Sequence, residues 1–101
     1  MKALLINPEN RTIESIQIDG HDDIIRVVGY DTVTSDEIST GGDHLFFDEE
    51  CFLRGTTGRF QIDSLVPVSG KAVIMSTADE GTTLRDVESS SDDISARIRY
   101  L

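Results

Sequence analysis

The chain has 101 residues and a formal net charge of −10, with 19 acidic residues against nine lysines and arginines. This charge argues against direct nucleic-acid binding, because neutralising phosphates requires a surface rich in lysine and arginine. The length suits a single globular domain over residues 1–101. Isoleucine and valine number 18 against seven leucines and four alanines, a composition that favours strands over helices.

The single cysteine, Cys51, excludes an intramolecular disulfide and fits a reducing cytoplasm. No stretch of sequence approaches the ~20 apolar residues that a membrane-spanning helix requires. The N-terminal apolar run is too short for a signal peptide. We therefore expect a cytoplasmic protein without membrane association or cofactor, and the sequence indicates no oligomeric state.

Strands and one helix are predicted for the first half of the chain. Residues 3–6 are apolar without alternation, which is typical of a strand buried on both faces. Aspartates at 19–23 favour the start of a helix, and Gly29 favours its end. The predicted elements are a hairpin of strands Lys2–Asn7 and Thr12–Ile18, the latter bulged or at an edge, a helix from Asp19 to Gly29, a short strand Tyr30–Thr34 with a turn Ser35–Ile38, and a strand His44–Phe47.

More strands follow in the second half of the chain. Glycines at 55 and 58 predict a hairpin loop, and the alternation of apolar and polar residues after residue 93 predicts a strand with one face in solvent. The predicted elements are strands Cys51–Leu53 and Arg59–Ile62 around that loop, a strand Ala72–Met75 ended by residues 79–81, a short helix Thr82–Glu88 capped by Thr83, a solvated linker Ser89–Asp93, and a final strand Ile94–Tyr100. Together they predict an α+β domain with a mainly antiparallel sheet and one or two short helices on one face.

Two acidic runs lie near a histidine, His21-Asp22-Asp23 and Asp48-Glu49-Glu50 with His44. Adjacent acids in a strand point to opposite faces, so the second run supplies at most two ligands on one side. Neither run has the spacing of a calcium-binding loop. We predict no metal site.

Cys51 is a candidate nucleophile with His21 or His44 as its base. Its acidic neighbour Glu50 disfavours a reactive thiolate. We predict instead that Cys51 is a small buried apolar residue and that the protein has no catalytic residues.

The segment Arg54-Gly55-Thr56-Thr57-Gly58-Arg59 is the candidate ligand-binding site. Its glycines free backbone N–H groups for an anion, its threonines offer hydroxyl donors, and its arginines flank them. It lacks the lysine and the length of a phosphate-binding P-loop, and it precedes a strand rather than a helix. The alternative is a glycine-rich hairpin turn whose arginines lie across neighbouring strands.

The negative charge is concentrated in the first half of the chain. Residues 1–50 carry a net charge of −9 and residues 51–101 a net charge of −1. This asymmetry predicts an acidic face that attracts a basic protein partner. The alternative is that scattered acids only keep a small protein soluble.

Three features resemble a known family: the opening Met1-Lys2-Ala3-Leu4-Leu5-Ile6, the run Asp48-Glu49-Glu50 after an aromatic pair, and the glycine-containing turn that follows. The chain resembles an uncharacterised family of small α+β proteins that are found in bacteria and are often carried by plasmids and phages. The resemblance implies a one-domain α+β fold, and a mobile-element origin favours an interaction role over metabolism. The family has no assigned activity, so no functional residues carry over.

Two functions follow as hypotheses. We expect a small, acidic, non-catalytic interaction or accessory protein that presents an acidic face to a basic protein partner. The alternative is a binding module or enzyme that holds a small anionic ligand with residues Arg54–Arg59. A contiguous acidic face supports the first, and a basic pocket at this segment supports the second.

Overall fold

The fold was obtained as a computed structural model that describes residues 1–78 and 83–101. Its elements are strands β1 (Lys2–Asn7), β2 (Thr12–Gln17), β3 (Val33–Glu37), β4 (Asp43–Asp48), β5 (Arg59–Ile62), β6 (Val68–Ser69), β7 (Ala72–Ala78), β8 (Thr83–Arg85) and β9 (Ile98–Tyr100), helices α1 (His21–Val28) and α2 (Ser91–Ser95), and a 3-10 turn at Cys51–Leu53. Neither helix has the length and apolar character of a membrane-spanning segment within these residues.

Strand β7 lies at the centre of the larger of two antiparallel sheets. The order in this sheet is β2-β1-β7-β4-β3, and β8 pairs with the C-terminal end of β7. Side chains of β7 leave on both faces: Ile74 packs into one hydrophobic cluster, and Val73 and Met75 pack into another. A smaller sheet, β6-β5-β9, contributes Phe60, Ile62 and neighbouring side chains to the first cluster.

The two helices cover opposite faces of the larger sheet, whereas the sequence predicted helices on one face. Ile24 and Val28 of α1 pack in the cluster of Val73 and Met75, and Ile94 of α2 packs in the other. A central strand that is apolar on both faces needs a cover on each side, which explains the error. The mostly antiparallel pairing and the two short helices are confirmed.

The N-terminal elements match the prediction closely. β1 and β2 form a hairpin with β2 at the sheet edge, and their register runs without a bulge from Lys2 opposite Gln17 to Asn7 opposite Thr12. Helix α1 ends at Gly29, whose φ of 97° lies in the left-handed region that glycine adopts readily.

The start of α1 differs from the predicted aspartate cap. Gly20 occupies the cap position and no side chain caps the helix. Asp23 accepts a hydrogen bond from the N–H of Asp19 at 2.7 Å instead, which fixes the entering chain.

Two predictions in the middle of the chain are wrong. Strand β3 spans Val33–Glu37, whereas the sequence predicted a strand Tyr30–Thr34 followed by a turn Ser35–Ile38. The hairpin around residues 55–58 does not form, because Cys51–Leu53 is a 3-10 turn and β5 pairs with β6 and β9. These partners lie later in the sequence, and local turn signals do not identify them.

The C-terminal region differs most from the prediction. Residues 83–85 form a strand rather than a helix, while the predicted end of β7 at 79–81 and the helix start at 82 lie outside the described residues. The predicted linker contains the start of α2, where Ser90 Oγ accepts from the N–H of Asp93, and the Asp93 carboxylate accepts from the N–H of Ser90. Ile94 therefore belongs to a helix, and the last strand begins only at Ile98.

The docking of α2 can be tested at Ile94, whose side chain is fully buried. We expect Ile94→Ala to lower the free energy of unfolding by about 2–5 kcal/mol, through lost burial and the cavity left behind. Leu53→Ala is the control, because Leu53 is 80% exposed and its truncation should change stability by less than ~0.5 kcal/mol. Urea denaturation measures both, and equal small losses would contradict the packing of α2 on the core.

Candidate functional site

The predicted ligand segment borders a cleft at the end of α1. The cleft has a volume of about 320 Å³, and Arg54, Thr56 and Thr57 lie in its wall together with Tyr30 and Lys71. The remaining three residues of the segment, Gly55, Gly58 and Arg59, do not line it. The structure therefore divides the segment rather than forming one anion-binding loop from it.

Gly58 and Arg59 have other surroundings. Gly58 has a φ of 83°, and a Cβ atom there would lie 2.5 Å from the backbone nitrogen of Glu9. This close approach to the β1–β2 turn explains why position 58 is a glycine. The guanidinium of Arg59 lies over the ring of Phe52 at 5.1 Å, a cation–π contact at an open depression.

Arg54 is fixed by carboxylates of the protein itself. Its Nε donates to Asp48 at 2.8 Å, and its Nη2 donates to Thr32 at 2.9 Å and to Glu50 at 3.4 Å. The guanidinium also lies 4.3 Å from the centre of the Tyr30 ring. An anion in the cleft would have to compete with these partners.

Asp48 is the buried member of this network, with only 3% of its side chain exposed. It also accepts hydrogen bonds from the hydroxyl of Thr32 and, at 3.0 Å, from the N–H of Glu50. Burial raises the pKa of Asp48, but the hydrogen bonds from Arg54, Thr32 and Glu50 outweigh it and hold the pKa below the usual 3.8. The carboxylate is therefore charged and paired at neutral pH.

Two further hydroxyls and the thiol of the cleft also form hydrogen bonds within the protein. Thr56 Oγ1 and Ser69 Oγ lie 2.8 Å apart, and Cys51 Sγ accepts from the N–H of Ser69 at 3.4 Å. Cys51 is 4% exposed and packs in the hydrophobic cluster on the α2 side of the sheet.

Both histidines lie on the opposite side of the sheet from Cys51. The rings of His21 and His44 are each 6.4 Å from that of Phe46, which packs in the cluster under α1. His44 Nδ1 is 2.8 Å from the Gly42 carbonyl oxygen. The Cys–His pair is therefore not assembled, and the described residues contain no group of three side chains able to hold a metal ion.

A second depression, which we call the α1–β3 groove, lies between helix α1 and strand β3. Its volume is about 310 Å³, and it is lined by His21, Ile24, Ile25, Asp31, Val33, Thr34, Ser35 and Phe46. Four of these eight residues are apolar and four are polar, and no lysine or arginine is among them.

Three exposed carboxylates border the groove. Asp31 lines it directly, Asp22 lies beside His21 in an adjoining acidic depression, and Glu37 ends β3. In the described part of the chain, the ion pairs are Arg26–Asp23, Arg54–Asp48, Arg54–Glu50, Arg85–Glu88 and Arg97–Asp63. None of them involves the three border carboxylates.

Strand β3 has a free edge, because it pairs only with β4 in the described part of the sheet. Thr32 accepts from the N–H of Glu49, and Ile38 donates to Asp43, so the even-numbered residues bond to β4. Since hydrogen bonding alternates along an antiparallel strand, the backbone groups of Val33, Ser35 and Glu37 point away from the sheet. Sequence reasoning missed this edge because the polar run at 35–37 is typical of a turn.

Comparisons with models of known protein families, with curated proteins and with solved structures each gave no match. The resemblance to an uncharacterised family stays a prediction. We therefore infer the function from the residues of this chain.

The Arg54–Asp48 pair gives a pH-dependent prediction. Arg54→Ala leaves a buried carboxylate without its cation, so the pKa of Asp48 should rise and stability at pH 7 should fall. Because the pKa of Asp48 is depressed in the folded protein, the pair stabilises above the unfolded pKa of about 3.9 and less as the pH falls through the folded pKa. The stability difference between wild type and variant should therefore shrink below about pH 4.

Urea denaturation between pH 3 and pH 7 measures this difference, with Arg85→Ala as the control. Arg85 and Glu88 are 3.9 Å apart and about half exposed, so their pair should contribute less than ~1 kcal/mol. A loss for Arg54→Ala no larger than that for Arg85→Ala, or independent of pH, would contradict the pairing.

Proposed function

We propose that this protein is a non-catalytic accessory protein that binds a basic protein partner at the α1–β3 groove. The observation that carries the proposal is the border of Asp22, Asp31 and Glu37, which have no ion-pair partner among the described residues. Asp31 lines the groove, Asp22 follows the lining residue His21, and Glu37 lies two residues beyond the lining residue Ser35. No described lysine or arginine lines the groove.

The groove combines two contributions to binding. The carboxylates attract a basic surface over a distance of about 10 Å at 0.1 M salt and select the sign of the partner's charge. The half-buried side chains of Ile25 and Val33 offer apolar contact once the partner has docked. Scattered solubilising acids would supply the first contribution without the second.

The positions of the basic residues also favour the α1–β3 groove as the binding surface. Arg26, Arg54 and Lys71 all line the cleft at the end of α1, and none of them lines the α1–β3 groove. A basic partner therefore meets less repulsion at the groove than at this cleft.

A matched pair of triple variants tests this proposal. Asp22→Asn, Asp31→Asn and Glu37→Gln together remove the groove border, while Glu9→Gln, Glu14→Gln and Asp92→Asn remove the same charge elsewhere. Each triple variant also removes one aspartate from the first turn of a helix, Asp22 from α1 and Asp92 from α2. The probe is fluorescein-labelled decalysine, followed by fluorescence anisotropy at ~50 mM salt.

We expect decalysine affinity to fall at least tenfold in the groove variant and by less than about threefold in the control, because local charge decides docking more than net charge does. Equal losses in both variants would mean that only net charge matters. That result, or no binding to the wild type, would contradict the proposal.

A second candidate function is a binding module or enzyme for a small anionic ligand in the cleft of Arg54. The ammonium of Lys71 favours it, since Lys71 is exposed, lines the cleft and makes no ion pair with a described residue. Asp48, Glu50 and Glu9 lie in or beside the same cleft and oppose an anion. We rank this candidate second for that reason.

A further inference from the structure

We propose that the basic partner adds a strand to the free edge of β3, and that the recognised segment is an extended peptide in which basic and apolar residues alternate. This inference rests on the proposed function and specifies the chemistry of its partner. Main-chain hydrogen bonds would supply affinity, and the groove and its border would select the side chains.

The backbone of β3 offers a regular set of donors and acceptors. The N–H and C=O groups of Val33, Ser35 and Glu37 point away from β4, at every second residue of the strand. No other described strand pairs with this edge. A strand added here would continue the sheet at the usual spacing of about 4.8 Å.

The groove lies on the side of β3 that faces α1. Ser35 is directly opposite Phe46 on β4, and cross-strand neighbours share a face, so Val33, Ser35 and Glu37 lie on the same face as Phe46. An added strand would present every second side chain to this face. Lysine side chains at those positions would lie on the same face as the border carboxylates, with their aliphatic stems against Ile25 and Val33 in the groove.

The free edge of β3 favours an extended segment over a helix. The backbone groups of a helix are hydrogen-bonded within the helix and cannot pair with the outward groups of β3. A strand can satisfy these groups and place side chains in the groove beside them.

Carboxylates mark both ends of the edge. Asp31 precedes β3 and Glu37 ends it, and Asp36 adds a further half-buried acid. At about 3.3 Å per residue, a strand of seven residues spans from one end to the other. Lysine or arginine near each end of the partner segment would meet these charges.

The same charges select against a second copy of this chain. Two β3 edges that approached each other would bring Asp31, Asp36 and Glu37 of both copies together. Natural proteins use such edge charges to prevent edge-to-edge aggregation. A basic segment would instead be attracted by these carboxylates.

The test uses three fluorescein-labelled peptides of seven residues that alternate lysine and valine. One peptide is unmodified, one is N-methylated at every valine, and one is N-methylated at every internal lysine. Each methylated peptide lacks the backbone N–H donors along one side of its extended chain and keeps its charge. Affinity for the wild type and for the groove variant is measured by anisotropy at ~50 mM salt.

We expect the unmodified peptide to bind the wild type, and to bind the groove variant at least tenfold more weakly. We expect one of the two methylated peptides to lose at least tenfold in affinity, because one peptide edge must pair with β3. Full retention by both methylated peptides would overturn strand addition while leaving charge-directed docking intact. Failure of the unmodified peptide to bind while decalysine binds would overturn strand addition alone, and failure of both probes would overturn both proposals.

Discussion

Strand β7 is covered on both faces, and this double burial determines the arrangement of the other elements. Residues 72–77 are all buried, and the apolar side chains of residues 72–75 enter two separate hydrophobic clusters. One face requires α1, and the other requires the smaller sheet and α2. The neighbouring strands β1 and β4 complete the hydrogen bonding of β7, which moves the polar strands β2 and β3 to the edges.

Two buried aspartates on β4 link this core to the surface. Asp43 accepts from the N–H groups of Glu88 and Ser89 and from the Ser89 hydroxyl, which holds the chain that leads into α2. Asp48, at the other end of β4, holds Arg54 and closes one side of the cleft. Both carboxylates are satisfied within the fold and are not available to a partner.

Local patterns in the sequence predicted the elements whose signals are local. The apolar runs of β1 and β7 and the glycine that ends α1 lie within a few residues of the elements they define. The sequence analysis paired β5 with residues 51–53, which was wrong. The actual partners, β6 and β9, lie beside β5 only in the folded chain. The alternation of Ile94 and Ile98 was assigned to one strand, yet a capping box at Ser90 and Asp93 places the first of them in α2.

The candidate site was predicted only in part for the same reason. The charge asymmetry pointed to the acidic half of the chain, but the groove needs α1 and β3 side by side. The arginine at 54 suggested an anion site because its neutralising partner, Asp48, becomes adjacent only when the turn at Cys51–Leu53 folds back. Composition therefore led to the hypothesis of a basic partner but indicated no surface for it.

Amide hydrogen exchange along β3 in the free protein tests whether the outer edge of this strand is open, as strand addition requires. We expect an alternating pattern, in which the N–H groups of Val33, Ser35 and Glu37 exchange quickly while those of Thr34 and Asp36 are protected by pairing with β4. Uniform protection from Val33 to Glu37 would mean that the outward groups are already hydrogen-bonded. That result would contradict the free edge and the strand addition built on it.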